Sequence, residues 1–331
     1  MKVAYDVRFI SQQDVENLGI SMKEVIDAVE TGWRNTGEGK VELPPKIGVH
    51  PRHDCYMHAM PCWVGGDTDM AGIKWVCGFP TNLQKDLPYN NGVFILNSVE
   101  TGVVEAIMDC NWMTTWRTGA AAGIGAKDFA DPKSEVVSVI GLGRIGQITL
   151  RAFKEVLPNM KTVKIFDPVE AQTERFIETM KGIVPNAEFV ISKSYKDVCE
   201  DADVVTSCAP IVAEPERPVK AHMLKKDVFC MTSDYCSTFD AETVNKGTSF
   251  VCDDKGQYLW TQAQGMYFQN GYPTKDEIHA DMGEIVTAKK PAVQSGRRTC
   301  LFMGIAVNDV MTAKLIMQKA KEQNAGIMLK L

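Results

Sequence analysis

The run Val136-Val-Ser-Val-Ile140 leads directly into Gly141-Leu-Gly143-Arg-Ile-Gly146, and no other feature restricts the fold as much. A glycine triplet of this spacing is a weak signal by itself. Between a short apolar strand and a helical pattern it becomes a strand–turn–helix that closes around a phosphate. Gly141 permits the tight turn, Gly143 admits backbone close to a pyrophosphate, and Gly146 lets helix and strand pack together. The helix opening at Arg144 and Ile145 aims free N–H groups and the positive end of its dipole at that phosphate. A second strand ends at Asp167, roughly 20 residues beyond the last glycine, where a carboxylate accepts hydrogen bonds from both ribose hydroxyls. It repels a 2′-phosphate, and Pro168, Val169 and Glu170 bring no cation to reverse that. The expected cofactor is NAD rather than NADP. The alternative is a glycine turn in an α/β protein that binds no cofactor.

Around this turn strands and helices alternate. Val136–Ile140, Val163–Phe166, Phe189–Ile191, Val204–Ser207 and Val228–Met231 read as buried strands, with helices at Ile145–Val156 and Glu170–Met180. That rhythm predicts a parallel, doubly wound sheet. The first third is different. Ser11-x-x-Asp14 and Ser21-x-x-Glu24 are helix starts, the second a capping box followed by Val25, Ile26, Val29 and Trp33 at helical spacing. Between residues 46 and 109, Ile47–His50, Tyr56–Met60, Ala71–Gly78, Val93–Asn97 and Val103–Met108 suggest an antiparallel or mixed sheet. Residues 111–129 form an Ala-rich helix, and Gly304–Lys319 an amphipathic one with Ile305, Val307, Val310, Met311 and Leu315 along one side. The expected fold class is α/β in two domains. A Rossmann-type domain spans 126–304, near a linker at Asp131–Pro132, and an α+β domain combines 1–125 with 305–331.

Composition excludes several classes. Among 331 residues, 36 are Lys or Arg and 42 Asp or Glu, a net charge of −6 that disfavours nucleic acid and anionic membranes as partners. No apolar run approaches the ~18 residues of a membrane span. The amino-terminal MKVAYDVRFIS carries Asp6 and Arg8 inside its apolar stretch and does not read as a secretory signal. Ten scattered cysteines without a CxxC pair fit a reducing cytoplasm, and no metal site is expected.

Three stretches upstream of the glycine turn place charge in apolar surroundings: Pro44-Pro-Lys46…His50, Gly72-Ile-Lys74-Trp-Val, and Thr114-Thr-Trp-Arg117-Thr-Gly-Ala-Ala. A lysine inside an apolar strand and an arginine inside an Ala-rich helix are costly unless they meet an anion. A substrate carboxylate or a cofactor phosphate would satisfy them. Lys74 as a lysine that snorkels to water, and Arg117 in a purely structural ion pair, are the bland alternatives.

With these residues in place the chain resembles the ornithine cyclodeaminase/mu-crystallin family over nearly its whole length. The matching text is Met60-Pro61, Gly72–Val76, Phe79–Asn82, Leu87-Pro88, Thr101-Gly102, Met108-Asp109, Thr114-x-x-Arg117-Thr-Gly-Ala-Ala and the glycine turn. It continues with Ser233-Asp234, Gly283-Glu284-Ile, Phe302-x-Gly304 and Asp309. The resemblance implies a homodimer and hydride transfer at a carbon bonded to nitrogen. The α+β domain would bind substrate and form the dimer. The substrate would be a small amino acid or its imine, handled by an amino-acid dehydrogenase or imine reductase. Redox-neutral cyclodeamination of ornithine, or a mu-crystallin-like binding protein, are the other outcomes within the family.

The resemblance also assigns roles. Lys74 is the catalytic or carboxylate-binding lysine, Arg117 binds the substrate carboxylate beside the cofactor, Lys46 is a further carboxylate-binding cation, and Asp234 handles the substrate nitrogen. Either Asp234 or Lys74 would take the ammonium proton. Three positions depart from the family. His58 stands where ornithine cyclodeaminases carry glutamate, the segment after Asp234 reads Tyr-Cys-Ser-Thr-Phe, and Met303 replaces a serine. The Tyr235–Phe239 segment is expected to shape the substrate pocket, and His58 to be either a substrate contact or a core histidine.

Overall fold

A computed structural model describes residues 4–212 and 214–331, so Met1, Lys2 and Val3 of the segment weighed as a leader lie outside the described residues. The chain divides into two compact units, residues 1–117 with 305–331 and residues 118–304. The division falls inside the helix Asn111–Phe129. The reason lies in the packing of the helix's second half. A Cβ on Gly119 would stand 2.7 Å from the carbonyl oxygen of Ile148, so this stretch is pressed against the helix after the glycine turn.

The first unit is a mixed sheet with helices on one face. Its strands are β1 (Asp6–Ile10), β2 (Val41–Glu42), β3 (Ile47–Val49), β4 (Tyr56–Val64), β5 (Met70–Gly78), β6 (Asn90–Asn97), β7 (Val104–Asp109) and, from the far end of the chain, β16 (Ile327–Lys330). Their order is β16-β1-β7-β6-β5-β4-β2, with β3 also on β4. Only β1 and β7 run parallel; the other neighbours are antiparallel. Both serine starts close full capping boxes, at Ser11/Asp14 and Ser21/Glu24.

The helix Met22–Gly37 buries Met22, Val25, Ile26, Val29 and Trp33. Gly32 lets a second helix come close, since a Cβ there would lie 2.8 Å from Met311. That second helix, Ala306–Glu322, corrects the expected one-sided stripe. Every residue from Ala306 to Ala313 is buried, whereas Leu315 is only partly so. It packs on the Met22–Gly37 helix and on β4–β6 together, which leaves its first two turns no solvent face.

The second unit is a parallel sheet. Its strands are β8 (Val136–Ile140), β9 (Thr162–Phe166), β10 (Glu188–Ile191), β11 (Val204–Ser207), β12 (Val228–Thr232), β13 (Ser249–Cys252), β14 (Ala280–Asp281) and β15 (Arg297–Leu301). Their order is β10-β9-β8-β11-β12-β15-β13-β14, with every neighbouring pair parallel. The order reverses at β8, between β9 and β11. In open α/β sheets ligands bind beyond the carboxyl ends of the strands at such a point. The fold is thus the doubly wound α/β sheet with a second, α+β unit. No helix of the described residues is long and apolar enough to cross a membrane.

Candidate active site

In the second unit the glycine turn sits at the switch point. Gly141 has φ +86°, and a Cβ on it would stand 2.7 Å from the Cys208 carbonyl at the end of β11. Gly146 would collide with the Gly141 carbonyl if it carried a side chain. Gly143 is different: a Cβ there meets nothing within 4 Å, so the space above it is open. Gly143 caps the helix Arg144–Val156 without a side-chain bond, leaving the first N–H groups aimed into that space. Arg144 is exposed and Ile145 partly buried at its rim. Asp167 accepts the Leu142 N–H at 2.9 Å and the Val169 N–H at 2.9 Å, which fastens the turn to the end of β9. Each oxygen keeps a lone pair for a ribose hydroxyl. An open cradle, an uncapped helix start and an acceptor at the ribose position together fit a dinucleotide.

Asp234, also in this unit, is fully buried. Its Oδ1 accepts Ser207 Oγ at 3.1 Å and Thr232 Oγ1 at 2.7 Å; its Oδ2 accepts Ala209 N at 3.1 Å and Thr238 Oγ1 at 2.6 Å. Burial pushes this carboxyl up while the four hydrogen bonds hold it down. Enclosed and saturated, it ties the end of β11 to the loop after β12 and offers no lone pair to a substrate nitrogen in this arrangement. Tyr235, at φ +59°, together with Cys236 and Phe239, is buried in the core of the unit. The Tyr235 ring lies 5.1 Å from Tyr267 and 5.5 Å from Phe268, so the apolar segment is held by an aromatic cluster.

The first unit brings together the cations the sequence singled out. Lys74 lies on β5, directly across from Met60 on β4, on the face covered by the helices. Its Nζ donates to Asp309 Oδ1 at 2.8 Å, and Arg117 Nε donates to the same oxygen at 3.1 Å. Lys74 and Asp309 are fully buried, and the Arg117 side chain is 7% exposed. Asp309 Oδ2 and both side-chain polar atoms of the adjacent Asn308 are buried without a partner among the described residues. Buried polar groups left open in this way are where a ligand or water completes the network. Burial, then the neighbouring Arg117 charge, pull the Lys74 ammonium down to about 8, against the opposing pull of Asp309.

Lys46 is partly buried just before β3, and His58 partly buried on β4. His58 pairs with Val76, two positions from Lys74 on the same face. Burial holds its imidazole down at about 3, helped by Lys46, His50 and Lys74. Asp309 is the functional residue whose role sequence reasoning missed. It stood in an apolar run whose stripe was assigned to packing. The rule applied to Lys74 and Arg117, that a charge amid apolar residues needs a partner, would have found it.

The family model described as ornithine cyclodeaminase/mu-crystallin family matches residues 6–324. An alanine dehydrogenase of Archaeoglobus fulgidus is 31% identical over 326 residues, 97% of each chain. A Thermococcus litoralis Delta(1)-pyrroline-2-carboxylate reductase, solved with NADH and L-proline, superposes with a TM-score of 0.86 at 28% identity, covering 97% of this chain and 99% of that one. An archaeal alanine dehydrogenase dimer with bound NAD has a TM-score of 0.85 at 28% identity, covering 98% and 99%.

Proposed function

Because this chain belongs to the ornithine cyclodeaminase/mu-crystallin family, we propose that it is an NAD-dependent oxidoreductase of small amino acids or their imines. It acts as an amino-acid dehydrogenase or imine reductase, moving a hydride at the nitrogen-bearing carbon. The observation that carries this reading is the buried fork in which one Asp309 oxygen holds both Lys74 and Arg117. Two cations share one carboxylate in a dry site. A substrate carboxylate supplies the missing negative charge, and the Arg117 guanidinium meets it in the paired geometry that guanidinium favours.

That anchor fixes the orientation of the substrate's Cα, and such positioning lowers a large part of the barrier. Bound in the Gly141–Gly146 cradle, NAD supplies the hydride acceptor, and NADH the donor in reverse. Oxidation must start from the neutral amine. Lys74, drawn down to about 8, is deprotonated often enough near neutrality to take the ammonium proton. Loss of hydride leaves an iminium, which water hydrolyses to a keto acid and ammonia. In reduction the same Lys74 is the proton donor. Asp234 acts as a positioning residue by holding the β11 and β12 loops.

The protein works as a homodimer. The helix-free face of the first sheet carries an apolar row in register, Ile327, Phe9, Ile107, Ile95, Ile73 and Pro61, with Trp63 and Trp75 exposed beside it. A continuous apolar face of this kind marks an interaction surface, and a solved relative of this fold is described as a dimer. Ten free cysteines support a reducing cytoplasm as its location.

The test is steady-state turnover. NADH formation with NAD and L-amino acids, and NADH consumption with the matching keto acids plus ammonia, should both appear. Absence of both, with NAD still bound, would contradict the reading and favour a binding protein.

A further inference from the structure

Asn308 stands in the first turn of the helix Ala306–Glu322, where every residue as far as Ala313 is buried. It has no solvent exposure, and neither its Nδ2 nor its Oδ1 has a hydrogen-bond partner among the described residues. The Thr312 hydroxyl, one turn further on, donates to the Asn308 backbone carbonyl at 2.8 Å and leaves the carboxamide open. Asparagine is also a poorer helix former than leucine. A buried amide without partners costs the free protein its desolvation, and an apolar side chain of the same branching carries no such cost.

The position of the side chain gives that cost a reason. Val307 and Met311 press on Gly32 of the neighbouring helix, where a Cβ would lie 3.1 and 2.8 Å from them. Asp309 turns the other way, to Lys74 and Arg117. Successive helical residues point about 100° apart, so Asn308 leaves the helix between these two faces, on the side next to Asp309. Asp309 gives Oδ1 to both cations, and its Oδ2 is buried with no partner among the described residues. Residues 308 and 309 thus present two open acceptors, Asn308 Oδ1 and Asp309 Oδ2, and an open donor, Asn308 Nδ2. An α-amino acid is the complement of this set. Its nitrogen supplies several N–H groups and its carboxylate accepts. Asp234, to which the resemblance assigns the nitrogen, already has both oxygens filled.

Resting on the dehydrogenase reading above, we propose that Asn308 and the second oxygen of Asp309 hold the substrate's nitrogen, and that Asn308 makes the site select α-amino acids over 2-hydroxy acids. Lys74 and Arg117 hold the carboxylate, and Asn308 Nδ2 closes on it. The nitrogen then lies across one carboxylate group from Lys74, which takes its proton. A hydroxyl in the nitrogen's place has a single O–H and leaves one of the two acceptors unpaired. A site built on hydrogen bonds rejects that kind of mismatch.

The experiment measures the affinity of the unreactive enzyme–NADH complex for L-alanine and L-lactate, which differ only in that group, by isothermal titration. The wild type should bind L-alanine about tenfold or more tightly than L-lactate. Asn308→Leu should weaken L-alanine by about tenfold and change L-lactate by no more than about twofold, so the preference disappears. Equal affinities in the wild type, a preference retained in Asn308→Leu, or a parallel loss for both ligands would overturn the proposal. Should Asn308→Leu fail to fold, Asn308→Ala should lose the preference in the same way, and its retention there would overturn the proposal.

Turnover with NAD and L-amino acids decides the dehydrogenase reading separately. Turnover by an enzyme that binds both ligands alike would remove the nitrogen site and leave the dehydrogenase standing. The expected preference, lost in Asn308→Leu, in an enzyme that turns over no amino acid would do the reverse.

Discussion

Lys74 Nζ and Arg117 Nε meet on a single oxygen of Asp309, at 2.8 and 3.1 Å, inside a fold where Lys74 and Asp309 have no solvent exposure. Strand β5, the helix from Asn111 and the helix from Ala306 each supply one member of this fork. The arrangement holds two basic side chains on one carboxylate oxygen. It also sets how each member responds to substitution.

Asp309→Asn leaves two buried cations without their counter-charge and should destabilise the protein by roughly 3–5 kcal/mol, because breaking a buried pair strands the remaining charge. Urea unfolding measures this. Lys74→Met, of similar length and without charge, should keep the fold and NAD binding while abolishing turnover. Turnover in Lys74→Met would remove that residue from the chemistry.

The lowered Lys74 ammonium gives the pH dependence a definite sign. In amino-acid oxidation the neutral amine is the active form, so kcat/KM should rise with pH and level off above about 8. In imine reduction the ammonium is active, so the rate should fall above about 8. Stability follows the same group. Between about 8 and the ordinary 10.5 the unfolded chain binds the extra proton, so this residue's contribution to stability increases as pH rises through that window. Profiles with the same slope in both reaction directions would contradict Lys74 as the proton carrier.

The two glycines of the turn should separate binding from folding. A methyl at Gly143 points into open space, so Gly143→Ala should fold with an unchanged Tm yet bind NAD about tenfold or more weakly, a difference of at least ~1.4 kcal/mol. Gly146→Ala forces a methyl onto the Gly141 carbonyl and should lower Tm instead. Isothermal titration with NAD and a thermal melt read both.

Ile95 lies mid-row on the helix-free face of the first sheet. Ile95→Glu should halve the mass seen by light scattering while leaving the secondary structure intact. A wild-type monomer would remove the dimer.

Local features of the sequence transferred best. The turn at Gly141 to Gly146, the capping boxes and the run of parallel strands depend on spacing within a few residues, and the structure has them where the pattern put them. What depended on distant pairing did not show. β1 and β16 carry Asp6, Arg8 and Lys330, too polar for a strand signal, and exist because residues 6–9 pair with 327–330 across the whole chain. Asp309 stands in the text that carries the resemblance, but its pairing was hidden in the same way, since its partners lie 235 and 192 residues away. Asp234 was found, but its saturation by Ser207, Ala209, Thr232 and Thr238 appears only when two loops are brought together. The contacts of Tyr235 with Tyr267 and Phe268 were not legible either, since they join rings more than thirty residues apart.

The most direct measurement of the central claim is paired: NADH formed and ammonia released in the same reaction, with NAD and the best L-amino acid. Hydride transfer with hydrolysis of the iminium requires the two products to accumulate one for one. Ammonia without net NADH would contradict it, because the hydride would then have returned to the substrate in a redox-neutral cyclisation.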